Sequence, residues 1–351
     1  MTRPSPRIGL ILINLGTPDA ATPSAIRRYL KEFLWDTRVV ELPRLLWWII
    51  LNFIILPLRP RKIAQSYQSI WTEEGSPLRA ISNEQAIKLQ AELNKRLGPD
   101  VCQVEIAMTY GQPSLNQAWQ SLRKQGVEKL FVLPLYPQYS ATTTAAAFDA
   151  ISRIFAKERN IPALRFCRDY HQHPLYIGAL AERITRHWQE HDNSTSVQQH
   201  THLLFSFHGI PQACTDKGDP YEAQCHNTAR AVAKRLKLND KQWQVSFQSR
   251  VGKAPWLQPY TDKTVTELGQ QGLTRLDVIC PGFSVDCLET IEEIEVENRQ
   301  YYQDAGGLGY HYIEALNASS PHISLFAELV MTHCQDWLDE ADSNFEENNN
   351  H

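Results

Sequence analysis

Residues 202–211 read HLLFSFHGIP, a buried-strand pattern that ends in a reactive side chain. The apolar run is short and is stopped by Gly and Pro, which is typical of a strand buried on both faces of a parallel sheet. His208 stands where this strand must turn toward the surface. A lone histidine there is more often a structural residue bonded to a backbone carbonyl than a proton acceptor or metal ligand. Only a partner elsewhere in the sequence favours the second interpretation.

The same order of apolar run, Gly or Pro turn and helical pattern recurs along the whole chain. Strands that alternate with helices predict parallel sheets covered by helices on both faces. The runs fall into two sets of four, so we predict an α/β protein with two doubly wound domains and a ligand cleft between them. The first set is IGLILIN, VEIAMTY, KLFVLPLY and ALRFCRDY, and the second is HLLFSFH, WQVSFQSR, LDVICPG and YHYIEALN.

The domain limits follow from where this alternation is interrupted. The stretch YHQHPLY breaks the pattern, so we expect one domain over residues 1–173, with an apolar lip at 42–60, and a second over 174–338. The acidic and polar tail, 339–351, is expected to be disordered because it has too little apolar surface to bury.

Composition excludes several classes of protein. The 351 residues carry a formal net charge of −4, whereas a nucleic-acid binder usually has a basic excess. Seven cysteines without a CxxC pair favour a reducing compartment, and we expect a cytoplasmic protein. The chain contains no GxGxxG and no P-loop, so a nucleotide site has no support. The oligomeric state is left open.

Residues 45–58, LLWWIILNFIILPL, form an uncharged apolar segment. As a helix they would extend about 21 Å at about 1.5 Å per residue, which is short of the roughly 30 Å hydrocarbon core of a bilayer. They are therefore either a buried helix or an exposed lip that touches a membrane surface or an apolar ligand. Basic residues follow at once (Arg59, Arg61 and Lys62), which suits peripheral contact with the inner face of the cytoplasmic membrane.

A row of carboxylates follows the seventh predicted strand, in SVDCLETIEEIEVEN at 284–298. Ser284 or Asp286 is expected to cap an α-helix there. An inward apolar stripe is expected at Leu288, Ile291 and Ile294. Acidic residues at every fourth position would lie together on one face, which for an arbitrary helix usually means a solvated surface. These acidic residues are Glu289, Glu293 and Glu297.

The carboxyl ends of parallel strands meet at one edge of a sheet, where ligands bind. His208 could therefore face Glu289 across the cleft. An imidazole opposite a carboxylate can hold a divalent metal ion loosely, or can accept protons and pass them along the row to water. The same rule brings Tyr110, Tyr136 and Trp256 to the cleft as walls for a flat apolar ligand. Nine further histidines lack a matching partner in the sequence and stay unassigned: His171, His173, His187, His191, His200, His202, His311, His322 and His333.

Long motifs carry a family resemblance. The first half contains NLGTP at 14–18, GSPL at 75–78, MTYGQP at 108–113 and LPLYPQYS at 133–140. The second half contains HGIP at 208–211, GDPY at 218–221, QSRVG at 248–252 and GFSVDCLETIEEI at 282–294. In residues and in order, this set resembles the ferrochelatases over almost the whole chain. The resemblance implies two Rossmann-like domains with a porphyrin between them.

The resemblance also implies the reaction, which is insertion of ferrous iron into protoporphyrin IX to form heme b with release of two protons. His208 and Glu289 match the family's metal-site histidine and glutamate, and Glu293 and Glu297 match its acidic row along an irregular helix. A catalytic role is therefore expected for His208, Glu289 and Glu293. The positions that match the porphyrin pocket or its propionate side are Leu15, Arg59, Ser76, Tyr136 and Trp256.

Departures from the family pattern refine these expectations. Ala141 stands where members with an iron–sulfur cluster have a cysteine, so we expect no cluster and no tightly bound cofactor. Thr109 replaces a usual arginine, and Asp19 replaces the tyrosine of members that use coproporphyrin, which favours protoporphyrin. Two alternatives remain: a chelatase for coproporphyrin or for cobalt or nickel, and a tetrapyrrole carrier without turnover.

Overall fold

The computed structural model describes residues 8–191, 202–252 and 254–349, with side chains up to 340. In the first domain, four parallel strands lie in the order β2-β1-β3-β4. Strand β1 is buried along its whole length, as its unbroken apolar sequence predicts. The strands are β1 (Ile8–Asn14), β2 (Cys102–Met108), β3 (Lys129–Pro134) and β4 (Ala163–Phe166).

The second sheet repeats this topology. Its four strands are also parallel, in the order β6-β5-β7-β8, so the central strand in each sheet is the first in its half of the chain. All eight predicted strands form, and the predicted fold class is confirmed. The strands are β5 (His202–His208), β6 (Trp243–Gln248), β7 (Arg275–Ile279) and β8 (Gly309–Ile313).

Helices cover both faces of each sheet. The first domain contains α1 (Pro23–Trp35), α2 (Arg44–Ile50), α3 (Leu56–Ile70), α4 (Pro77–Leu97), α5 (Leu115–Lys124) and α6 (Ala146–Phe155), with π-helical segments π1 (Leu51–Ile55) and π2 (Ala141–Ala145). From Pro174 onward follow α7 (Pro174–His191), α8 (Gln212–Asp216), α9 (Tyr221–Arg235), α10 (Thr261–Gln270), π3 (Glu289–Asn298), α11 (Arg299–Asp304) and α12 (Ser320–Asn349).

The last helix, α12, joins the two halves instead of belonging to the second alone. It packs against α4 and β3 of the first domain as well as against α7. Arg165 on β4 donates to both carboxylate oxygens of Asp336, and the His333 ring stacks on Phe131 at 5.2 Å. One apolar core therefore continues through both domains.

The end of α12 differs from the expected disordered tail. The helix continues to Asn349, and residues 350–351 lie outside the described part. Glutamate and alanine in this stretch favour helix locally, so a polar composition did not prevent the helix from continuing.

The apolar segment 45–58 forms α2, π1 and the start of α3, and it is two-faced. Trp47 is buried, and its Nε1 donates to the carbonyl of Leu34 at 2.6 Å. Trp48, one position on, is 46% exposed. In the described part of the chain, no helix combines the length and apolar character needed to cross a bilayer. The exposed apolar residues on this outer face are Leu45, Leu46, Trp48, Ile49, Phe53, Ile54 and Leu58.

Candidate functional site

The carboxyl edges of the two sheets face each other across a narrow gap. The loop after β1, the end of α3, the start of α4 and the start of π3 line one cavity of about 20 Å³, room for about one water. The gap is much smaller at this point than a tetrapyrrole. The sequence-predicted residues that line it are Leu15, Ser76 and Glu289.

The loop after β1 requires glycine at position 16. Gly16 has a φ of +113°, and a Cβ there would lie 1.7 Å from the carbonyl oxygen of Tyr110. The Tyr110 amide in turn donates to the carbonyl of Leu15 at 2.9 Å. This close backbone approach turns Leu15 toward the cavity.

Tyr110 and Ser76 have partners inside the first domain. The Tyr110 hydroxyl donates to Asp36 at 3.0 Å and the residue is 4% exposed, so its ring supports the loop after β1 without lining the cavity. Ser76 caps α4, where its Oγ accepts from the Arg79 amide at 3.3 Å. Ser76 also lines the cavity.

His208 ends β5, as predicted, and its tautomer is defined by a short contact. Its Nδ1 lies 2.7 Å from the carbonyl oxygen of Gly209. Because a carbonyl only accepts, Nδ1 must carry the proton, and the lone pair of the neutral ring is then on Nε2. The structural and the functional interpretations of this histidine are therefore compatible: one nitrogen bonds the backbone and the other is a free ligand or base.

Glu293 is held in place by Ser249, which follows β6. Its two carboxylate oxygens accept from the Ser249 amide at 2.7 Å and from the Ser249 hydroxyl at 2.5 Å. Ser249 has a φ of +64°, a conformation that costs a serine energy and that clusters at functional sites.

His208, Glu289 and Glu293 interact electrostatically. Burial raises the pKa of the Glu293 carboxyl above its ordinary value; the Ser249 hydroxyl and the charge of protonated His208 oppose the rise, and the negative charge of Glu289 adds to it. The imidazole at the end of β5 and the Glu289 charge thus both act on the Glu293 carboxyl.

The acidic segment is a ten-residue π-helix, which confirms the irregular helix implied by the resemblance and differs from the α-helix that the residue spacing predicts. Its turns are wider than α-turns, so the buried residues are Thr290, Ile294 and Asn298 and not the predicted stripe of Leu288, Ile291 and Ile294. The acidic row survives this change. Glu289 and Glu293 are half-buried and Glu297 is exposed, so the row leads from the cavity to solvent.

The predicted caps of this helix were wrong. Neither Ser284 nor Asp286 caps π3, since its first residue follows Leu288 without a side-chain cap. Buried Asp286 accepts from the Tyr312 hydroxyl at 2.5 Å and the Asn317 amide at 2.7 Å. The Ser284 hydroxyl accepts from Gln85 of α4 at 3.1 Å. Both residues therefore anchor the segment before π3, and the Gln85 contact joins it to the first domain.

Gln248 is a supporting residue that the sequence reasoning missed. It is buried at the end of β6, and its amide donates to the carbonyl of Glu289 at 2.8 Å. Its Oε1 accepts from the Ser206 hydroxyl of β5 at 2.8 Å. Gln248 thereby joins the strand of His208 to the first residue of π3. The motif QSRVG contained the signal for both Gln248 and Ser249.

Two tyrosines of the first domain, half-buried Tyr29 and buried Tyr67, were also missed. Tyr29 and Tyr67 line the cavity opposite Glu289. Burial raises the pKa of each hydroxyl, and the Glu289 charge adds to both shifts, so these hydroxyls stay protonated beside the carboxylate. No motif at the end of a strand pointed to them, because both lie within helices.

The remaining predicted residues lie around this centre. Trp256 packs near Gly209, and its Nε1 donates to the Val251 carbonyl at 2.9 Å. The Tyr136 hydroxyl is buried and has no hydrogen-bond partner among the described residues. Arg59 is exposed on α3, the helix whose far end lines the cavity.

Comparisons with known proteins agree with this architecture. The ferrochelatase family model matches residues 7–334. The chain is 53% identical to a ferrochelatase of Thioalkalivibrio sulfidiphilus, with 95% of this chain and 89% of the relative covered. It is 52% identical to a ferrochelatase of Aeromonas hydrophila, with 92% and 98% covered.

Solved structures show the same fold at low identity. SirB from Bacillus subtilis with Fe³⁺ superposes with a TM-score of 0.54 at 13% identity, covering 78% of this chain and 95% of that one. The sirohydrochlorin chelatase SirB of Bacillus subtilis subspecies spizizenii in complex with cobalt gives 0.52 at 10% identity, with 97% and 98% covered. The family model matches nearly the whole sequence, and the relatives are about half identical to it. The chain therefore belongs to the ferrochelatase family of metal chelatases.

Proposed function

We propose that this chain inserts ferrous iron into protoporphyrin IX to form heme b, with His208, Glu289 and Glu293 as the groups that handle metal and protons. One observation carries the assignment: His208 at the end of β5 and Glu293 of π3 interact electrostatically in one half-buried site, with Nδ1 of His208 bonded to the backbone. Iron is here a substrate, so loose binding by one nitrogen and hard oxygen ligands suits its release.

The reaction removes two pyrrole protons for each ferrous ion that enters the ring. Glu289 and Nε2 of His208 hold the ion first, because Nδ1 of His208 is already committed to Gly209. When the ion passes to the ring, the vacated Nε2 lone pair takes one pyrrole proton and Glu293 accepts the second. Burial supports the role of Glu293, since a raised pKa brings a carboxyl closer to the operating pH. The exposed Glu297 then delivers protons to solvent.

The first domain supplies the grip on the macrocycle. A planar porphyrin presents its nitrogen lone pairs poorly to an approaching ion, so the walls must hold it in a distorted form. Leu15 and Ser76 line the cavity, and Tyr136 and Trp256 add aromatic surface to the proposed porphyrin pocket. Arg59, exposed on α3, is the basic side chain proposed to pair with a propionate.

Because the cavity beside Glu289 is only about 20 Å³, the macrocycle enters when α3 and π3 move apart. Lys62 of α3 and Glu292 of π3 attract each other across this gap. A surface pair of this kind is weak, so it leaves opening possible.

The test of function is anaerobic incubation of the purified protein with ferrous iron and protoporphyrin, followed by loss of free-base fluorescence and gain of heme absorption. Parallel reactions with coproporphyrin, and with cobalt or nickel, measure specificity. Turnover with protoporphyrin and iron above all other pairs supports the proposal. Stoichiometric binding without turnover would instead identify a carrier.

The absence of an iron–sulfur cluster stays a prediction. Cys102, Cys167 and Cys334 are buried, and burial raises the pKa of each thiol to about 12, which disfavours the thiolate form that binds a cluster. The visible spectrum of protein purified without oxygen tests this, and cluster absorption would contradict it.

We further propose that the protein is cytoplasmic and contacts the membrane surface through residues 45–58. Seven apolar side chains are exposed there on one face, followed by Arg59, Arg61 and Lys62. Apolar insertion with flanking basic charge suits an anionic bilayer surface. Porphyrins are themselves apolar, so a lip at the membrane places the site close to its substrate.

Flotation with vesicles that contain phosphatidylglycerol tests this contact. Trp48→Ser and Phe53→Ser are expected to weaken vesicle binding, because both side chains are exposed on the lip. Leu308→Ser is the matched control, since Leu308 is 76% exposed elsewhere. Unchanged binding by the lip variants would exclude the membrane contact.

A further inference from the structure

Three of the unassigned histidines lie together outside the iron site. His187 and His191 are one helical turn apart near the end of α7, and His311 is on β8. One ring nitrogen from each lies within 4.8 Å of the other two. The rings of His187 and His191 stack with centroids 4.1 Å apart.

The hydrogen bonds of the cluster leave nitrogen lone pairs available. His191 Nδ1 donates to the carbonyl oxygen of His187 at 2.9 Å, so the lone pair of neutral His191 is on Nε2. Metal-binding histidines are commonly oriented in this way, by a hydrogen bond from the ring nitrogen that does not bind the metal to a carbonyl oxygen. His187 is only 8% exposed, and its Nε2 has no partner among the described residues.

An unpartnered polar nitrogen in this environment needs an explanation, because burial of a polar group without a hydrogen bond is destabilising. We propose that His187, His191 and His311 bind one divalent transition-metal ion, of which Zn²⁺ is the model, with a fourth coordination position open. Nitrogens about 2.0–2.1 Å from a tetrahedral ion lie roughly 3.3 Å apart, so binding needs only small rotations of the rings.

The electrostatic surroundings are compatible with a cation. Burial, followed by the neighbouring histidines, lowers the pKa of His187 to about 3. Burial and Arg275 lower that of His311 to about 4. Both rings are therefore neutral at neutral pH, as metal ligands must be. Arg183 and Arg299 add smaller contributions of the same sign. Each of the three arginines has a carboxylate partner that offsets its charge: Asp277 at 3.1 Å from Arg275, Glu314 at 3.5 Å from Arg183 and Glu295 at 3.7 Å from Arg299.

The cluster is separate from the iron site. His311 pairs in register with Asp277 of β7, and Asp277 pairs with Leu203 of β5. His208 lies five residues further along β5, which is about 17 Å at about 3.3 Å per residue. A metal here would connect α7 to β8 and stabilise the second domain from the half of the sheet away from the substrates.

The experiment uses the full chain with His208→Ala, which weakens the iron site, after treatment with a chelator. Zn²⁺ is titrated against a chromophoric chelator and Co²⁺ by visible absorption. We expect one equivalent of tightly bound metal and the intense bands of four-coordinate cobalt. His191→Ala and His311→Ala, added separately, are expected to weaken binding at least tenfold. Because His191 is exposed, its replacement by alanine is expected to leave the fold intact. Circular dichroism checks the folding of both the His191 and the His311 variant.

His226→Ala is the matched control, a half-buried histidine on α9 outside the cluster. The proposal is overturned if the His191 and His311 variants keep full affinity, if His226→Ala loses it equally, or if cobalt gives only the pale spectrum of six-coordination. Heme formation is measured separately with His191→Ala in the otherwise unchanged chain, where we expect an unaltered rate. Failure of the metal site is thereby distinguished from failure of the chelatase assignment.

Discussion

The carboxyl edges of the two sheets have the same strand order but different chemistry. After β1 and β3 the chain presents Leu15 and the buried Tyr136 hydroxyl. After β5 and β6 it presents His208 and the serine that holds Glu293. One topology, used twice, thus carries an apolar edge and a polar edge, which we call the binding edge and the titrating edge after the roles that we propose for them. The comparison teaches that the fold places a site at the strand ends but does not decide its chemistry.

Removal of the imidazole from the titrating edge has the largest expected effect. His208→Ala should lower kcat by roughly 10²–10⁴-fold, the usual contribution of a positioned general base, while protoporphyrin still binds. Stopped-flow heme formation and fluorescence quenching measure the two quantities. His226→Ala is the control with wild-type turnover. An unchanged kcat in His208→Ala would remove the distinction between the edges.

Glu293→Gln should lower kcat by roughly tenfold or more. At high pH it should also raise the free energy of unfolding relative to that of wild type. Burial raises the pKa of Glu293 in the folded state, so the unfolded chain ionises first as pH rises. The folded wild type therefore loses stability as pH rises through the folded-state pKa, whereas the glutamine variant does not.

Urea unfolding at pH 4 and pH 8 measures this difference for Glu293→Gln. The free energy of unfolding of the variant minus that of wild type should be larger at pH 8 than at pH 4. Glu297→Gln, at the exposed end of the row, is the control without a burial contribution. A variant that loses stability only at pH 8 would contradict the role of burial.

Truncation on the binding edge should act on KM. Leu15→Ala removes apolar surface worth about 1.5–3 kcal/mol when fully buried, so an increase in KM of roughly tenfold is expected with a smaller change in kcat. Steady-state kinetics with protoporphyrin measures both. Leu164→Ala, a partly exposed residue of β4, is the control. A fall in kcat alone would mean that the first edge also takes part in chemistry.

A change outside both edges should leave the comparison intact. Asp336→Asn weakens the link from α12 to Arg165 of β4; that guanidinium holds the pKa of Asp336 near 2. The lowered value stabilises the fold above the ordinary aspartate pKa and is lost as pH falls toward about 2. Because Asp336 is exposed, we expect only slightly lower stability at pH 5–7, measured by urea unfolding, and unchanged heme formation. Altered kcat would show that α12 influences the site.

Much of the fold was readable because its signals are local. All eight strands are indicated by short apolar runs that end in Gly or Pro. The start of α5 is indicated by a capping serine with a glutamine three residues later. The family was identified correctly from motifs that keep their order. His208 and Glu289 were predicted to face each other because parallel strands end at a common edge.

The failures share a physical cause, which is that they depend on contacts between distant segments. Asp286 looks like a helix cap in sequence, but Tyr312 and Asn317 bind it elsewhere. His187 and His191 are spaced as ligands, but their third partner is more than a hundred residues away on β8. The wider turns of π3 likewise leave no periodic signal in a row of glutamates.

The sequence by itself determined the alternation of strands and helices and the duplication of a parallel sheet, and it supplied the candidate reactive side chains, because these follow from local hydrophobic period and residue chemistry. Only the tertiary structure decided which side of the apolar lip is buried, how Gln248 and Ser249 hold the acidic segment, and that α12 returns to the first domain. Those outcomes depend on which surfaces meet, and packing between segments far apart in the chain selects them.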